Sequence, residues 1–188
     1  MARTRSNNGG TSRPRTTARR AAKRTTPELT NLETKLGEVI GLAMAAQGGV
    51  DKISKLVTDR ELKRQLKTMK AEAADAEKSS TAIAASIAGK KGAILKEARE
   101  VKQKATKMMT TYLDRSADGL DGFEFLTMAE AAEVGHWQIV GKMNERAHVP
   151  GLEELVTWVT PIQQRHFETS LQGSLKLASE EDPNETEG

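Results

Sequence analysis

Glutamate and histidine at helical spacing are the residues of this chain best placed to do chemistry, in Glu133-Val134-Gly135-His136 and again around Gln163-Gln164-Arg165-His166. Leu126, Ala129, Val140, Met143 and Ala147 mark an inward stripe, and steps of three and four residues put Glu133 and His136 on it. A carboxylate and an imidazole that face a core must each meet a hydrogen bond, an ion pair or a metal, because burying them alone is costly. Two outcomes stay open. Glu133, His136 and His166, with Glu130, gather a metal ion, or the glutamate and histidine satisfy one another as a buried polar network. Gln163 also has a plainer explanation, as the third residue after a Thr160 cap.

Other chemistries are excluded. The chain has no cysteine, which removes disulfides and thiolate metal sites and leaves oxygen and imidazole donors. A P-loop, a dinucleotide-binding glycine pattern and a nucleophile elbow are all missing, so the glycines read as helix breaks. No catalytic residue is assigned, and redox turnover is expected only if a metal binds.

The elements that must position these groups are helices. Frequent Ala, Lys, Glu and Leu with 3% aromatic residues favour an all-α domain. The series Leu29, Leu32, Leu36, Val39, Ala43, Ala46, Val50, Ile53, Val57 predicts a first helix, begun by Thr26 as cap with Pro27 at its first position. Gly48-Gly49 costs about 1 kcal/mol per glycine relative to Ala and predicts a kink or a close neighbour. Thr58-Asp59-Arg60-Glu61 has capping-box spacing and starts a second helix through Leu62, Leu66, Met69, Ala73, Ala76, Ser80, Ile83 and Ile87, which Gly89 and Gly92 end. A third runs from Ile94 through Ala98, Val101, Ala105, Met108 and Tyr112 to about Asp114, and a fourth covers roughly Phe123 to Ala147. The fifth begins near Leu152, and Pro161 within it predicts a kink or a restart at Thr160. Trp137 and Trp158 are expected in the core or a seam, and His148 in an exposed turn. Lys90-Lys91 and the lysines from Lys96 to Lys107 read as solvated helix surface.

Charge is segregated along the chain. Arg3, Arg5, Arg13, Arg15, Arg19, Arg20, Lys23 and Arg24 are eight cations in a stretch without an acid, so the overall +3 leaves −5 for the rest. Glu180, Glu181, Asp182, Glu185 and Glu187 crowd the other end. Residues 1–26 are expected to be a disordered basic arm, 27–178 the helical domain and 179–188 a disordered acidic tail. Counterion release suits the arm to sequence-independent contacts with DNA phosphates through residues 1–24, while a solubilising tail is the plainer alternative. The arm's lack of aromatic residues argues against base stacking. No run nears the ~18 apolar residues that span a bilayer, so the expectation is a cytoplasmic protein without a membrane partner. The Arg-, Ser- and Thr-rich leader also fits an organelle transit peptide.

With its helical pairs on either side of a helix of about 21 residues, some 32 Å long at the usual rise, the chain resembles the ferritin-like superfamily, in particular small bacterial stress-associated four-helix proteins. The resemblance covers roughly residues 28–178 and rests on Leu42 to Leu66 with its turn Thr58-Asp59-Arg60-Glu61-Leu62, on AEAAEVGHWQIVGKMNERA and on IQQRHFETSLQGSLKLA. It implies an antiparallel bundle of two helical hairpins joined by a helical crossover, and a stress-related role in binding or storing iron or manganese. Di-metal members use a Glu from each of two helices and Glu-x-x-His from each of the other two. Glu133-x-x-His136 fits, whereas Gln163-x-x-His166 matches only in its histidine. The second helix offers Glu72 and Asp75 beside the seam, and in the first the nearest acid, Glu38, is off the stripe. The implied site is therefore incomplete. A second reading makes the bundle a non-enzymatic scaffold, alone or as a homodimer, whose arm binds DNA.

Overall fold

The computed structural model describes residues 27–186, which form five helices: α1 (Asn31–Leu56), α2 (Arg60–Ser86), α3 (Lys91–Tyr112), α4 (Gly119–Ala147) and α5 (Leu152–Ala178). Helix α1 touches α2 and α4, and these in turn meet α5, so four helices close a ring. Helix α3 lies on the outside of α1 and barely meets α4. The expectation of an all-α bundle is borne out.

Several boundaries differ from the sequence reading, each for a local reason. Thr30, not Thr26, caps α1: its hydroxyl accepts from the Glu33 amide and Glu33 reaches back to the Thr30 amide, a reciprocal capping box. At the next turn Asp59 outcompetes Thr58, because one carboxylate oxygen accepts from both Glu61 and Leu62 amides while Lys176 binds the other. Helix α4 starts at Gly119, four residues early, where Asp118 and Asp121 make a second box. Helix α5 runs through Pro161 without a restart, and Thr160, instead of capping, returns its hydroxyl to the Val156 carbonyl at 2.7 Å. His148 ends α4 as an exposed residue in the left-handed region, φ 51°.

Gly48 and Gly49 do not mark the close approach. A Cβ on Gly48 would meet nothing within 4 Å, whereas one on Gly41 would lie 2.4 Å from the Ala98 carbonyl oxygen and one on Gly37 2.8 Å from Glu97 Cβ. These two glycines, one turn apart, let α3 settle onto α1.

The apolar core is in two parts. One gathers Leu36, Val39, Ile40, Ile94, Trp137, Val140 and Leu152; the other gathers Ile53, Leu62, Leu66, Met69, Phe123 and Leu126. Along α4 the break falls between Leu126 and Trp137, and along α2 between Met69 and Ala76. The residues between them on α4 are Glu130 and Glu133, both buried. No described helix is long and apolar enough to cross a membrane.

Candidate functional site

The polar layer that divides the core is built by three helices. Helix α4 supplies Glu130 and Glu133, 2% and 4% exposed; α5 supplies Gln163 and His166, 1% and 2% exposed; α2 supplies the half-buried Glu72. On α4 the buried row is Leu126, Glu130, Glu133, Trp137, Val140, Asn144, again in steps of three and four. On α5 Val159, Gln163, His166 and Ser170 follow the same rule.

His166 is the hinge of the layer. Its Nε2 lies 2.7 Å from Glu72 Oε2 and its Nδ1 3.5 Å from Glu130 Oε2, so the ring stands between two carboxylates. Arg165, on the exposed side, also binds Glu72. Burial works against the imidazolium, but the two carboxylates outweigh it and raise the His166 pKa above its ordinary value. Burial likewise opposes ionisation of Glu72, yet hydrogen bonds from His166 and Arg165 prevail and hold it below the usual carboxylate range.

Glu133 is treated oppositely. Burial first, and then the charge of Glu130, push its pKa well up, with only the Gln163 amide opposing them by donating Nε2 to Oε2 at 2.6 Å. Two glutamates one helical turn apart thus differ in setting: burial and the neighbouring Glu130 favour the neutral form of Glu133, while Glu130 faces the His166 ring. Glu130 Oε2 and Gln163 Oε1 are buried without a hydrogen bond, and so is Trp137 Nε1.

The structure therefore brings together Glu72, Glu130, Glu133 and His166, and leaves out two expected members. His136 does not point at this layer: it sits over the α1 seam, 3.4 Å from Glu38, with Nδ1 2.8 Å from the Ala132 carbonyl. One residue back from Trp137, it falls outside the buried row. Asp75 is exposed on α2. Gln163, explained from sequence as a capping residue, is instead the partner of Glu133. Trp137 is fully buried as expected, but Trp158 is 42% exposed. Arg3, Arg5, Arg13, Arg15, Arg19, Arg20, Lys23 and Arg24 lie outside the described residues.

For a metal, the donors are of the right kind but are set around protons. Carboxylate oxygens and an imidazole suit iron, manganese or zinc. The two ring nitrogens of His166, however, point to different carboxylates, and among the described residues no three His, Asp or Glu side chains are arranged to hold one ion.

Beside the layer a cleft of about 160 Å³ opens between α1, α3 and α4. Leu42, Ala46, Met109, Phe125 and Met128 line it, and Glu130 and Glu133 of the polar layer also border it. Nothing in the sequence pattern marks it, because Met108 and Tyr112 continue the apolar stripe of α3; both are 58% exposed at the rim of the cleft instead of buried in a seam. No protein-family model, curated protein or solved structure matches the chain.

Proposed function

We propose that this protein is a metal-binding helical bundle in which Glu72, Glu130, Glu133 and His166 take up a divalent cation, iron or manganese, in a stress-related binding or storage role. The observation that carries the reading is the polar layer itself. Three carboxyl groups and an imidazole from three helices interrupt an apolar core, with one buried carboxylate oxygen unbonded. A bound cation would compensate the buried carboxyl groups, and its affinity would rise with pH, because carboxyl and imidazole ligands must be free of protons to bind it. Loading requires His166 to release one of its carboxylates. The ferritin-like arrangement of two hairpins and a crossover belongs to the same proposal, supported by the α1–α2 and α4–α5 contacts with α3 between them in sequence. No catalytic role is assigned.

The test is metal uptake by the purified full-length protein. Iron(II) or manganese(II) should bind at a fixed ratio with measurable proton release, and Glu130→Ala with His166→Ala should abolish it, whereas His136→Ala should leave it intact. Undiminished uptake by the double variant ends the reading.

A second reading concerns residues 1–24, whose eight cations without an acid favour nonspecific DNA contacts. Deleting them should remove a salt-sensitive shift of duplex DNA. Equal shifts with and without them would refute it.

A further inference from the structure

We infer that the cleft between α1, α3 and α4 binds a small alkyl- or arylammonium ion, its apolar tail against Leu42, Met109, Phe125 and Met128 and its cationic head at Glu130. This goes beyond the metal reading and does not depend on it.

The cleft exists because α3 is held to α1 by the Gly37 and Gly41 contacts yet hardly touches α4. Its C-terminal half therefore presents Met108, Met109 and Tyr112 to an opening instead of to a partner helix. Size limits the occupant: a dry apolar cavity of about 150 Å³ holds a benzene-sized molecule, so a volume of about 160 Å³ suits six to eight heavy atoms.

The head group follows from the carboxyls. Glu130 is 2% exposed, lines the cleft and has an oxygen that accepts no hydrogen bond. His166 Nδ1 stands 3.5 Å from that oxygen, while the ring's closer contact, 2.7 Å, is to Glu72. An ammonium group donates up to three hydrogen bonds and would meet the Glu130 carboxyl from the side of the cleft, opposite His166. A carboxylate ligand would meet the Glu130 charge with little water to screen it. A neutral alcohol fills the apolar part but brings a weaker donor.

Calorimetric titration of the full-length protein in EDTA, with hexylammonium, hexanoate and 1-hexanol, tests this apart from any metal. Hexylammonium should bind saturably at one per chain, 1-hexanol at least tenfold more weakly, and hexanoate not measurably. Glu130→Gln should weaken hexylammonium at least tenfold and leave 1-hexanol unchanged. Ala105→Phe, which fills the cleft from α3 and keeps Glu130, should block both ligands; this variant decides the matter if Glu130→Gln fails to fold. Absence of saturable hexylammonium binding, equal binding of hexanoate or hexanol, or undiminished binding to either variant overturns the inference.

Discussion

Glu133→Gln is the substitution that most directly probes the polar layer, because burial beside Glu130 favours the neutral form of this carboxyl in the folded state. Burial and the Glu130 charge raise its pKa well above 4.5. In the unfolded chain it ionises near its ordinary value, so between the two values the folded state holds one proton more. The sign follows: the stabilisation is complete below about pH 4.5 and is lost as pH rises towards the folded pKa. A one-proton difference corresponds to a slope of about 1.4 kcal/mol per pH unit. Glutamine keeps the shape and can still accept from Gln163 Nε2, but cannot ionise. Relative to the parent, the variant should therefore gain stability with each pH unit above about 4.5, at up to that slope, until the parent's own carboxyl ionises. Urea unfolding of both proteins from pH 4.5 to 8 measures the difference. A gap that does not change with pH would refute the reasoning that Glu133 holds a proton. Glu133→Ala is the contrast: it shares the gain with pH, since alanine cannot ionise either, but it strands the Gln163 amide and opens a void, and so should lie about 2–5 kcal/mol below the Gln variant at every pH.

The other predictions concern the layer's partner groups and the helix contacts. His166→Ala leaves Glu130 buried without its cation and should cost about 3–5 kcal/mol in denaturant unfolding, far more than a surface substitution. In the parent, the His166 resonances should titrate with a midpoint above 6.5, and the stability from this raised pKa should be complete below pH 6.5 and fade as pH passes the folded value. A midpoint at or below 6.5 would contradict the double carboxylate pairing. Gly173→Ala should destabilise by about 1–3 kcal/mol, since its Cβ would fall 2.2 Å from the fully buried Phe123 ring. Gly48→Ala, with nothing within 4 Å, should instead stabilise by up to about 1 kcal/mol. Thermal unfolding of both variants checks the contrast in sign.

What the sequence determined by itself was the helices and most of their buried faces. Leu32, Leu36, Val39, Ala43, Val50 and Ile53 recur at the helical period and are buried on α1, and Leu62, Leu66, Met69, Ala73 and Ala76 are buried likewise on α2. Local rules reach this far because the period and the caps act within one or two turns. Glu133 and His166 were placed inward correctly by the same rule.

Only the tertiary structure decided which polar groups meet. On α4 the apolar residues Ala129 and Met143 drew the inferred stripe through His136, one position from the row that is buried. Glu130 lay off the inferred stripe and counted only as an added ligand to the Glu133 cluster, yet it goes inside, where His166 of α5 faces it. Gln163 became a partner of Glu133 thirty residues away, and Glu72 a partner of His166 across the bundle. The exposure of Met108 and Tyr112 has a similar origin: their apolar stripe was legible, but whether α4 would close over it depended on how Gly37 and Gly41 seat α3 against α1. Periodicity ranks the faces of one helix, whereas the energy of a buried charge is set by what the neighbouring helix brings to it.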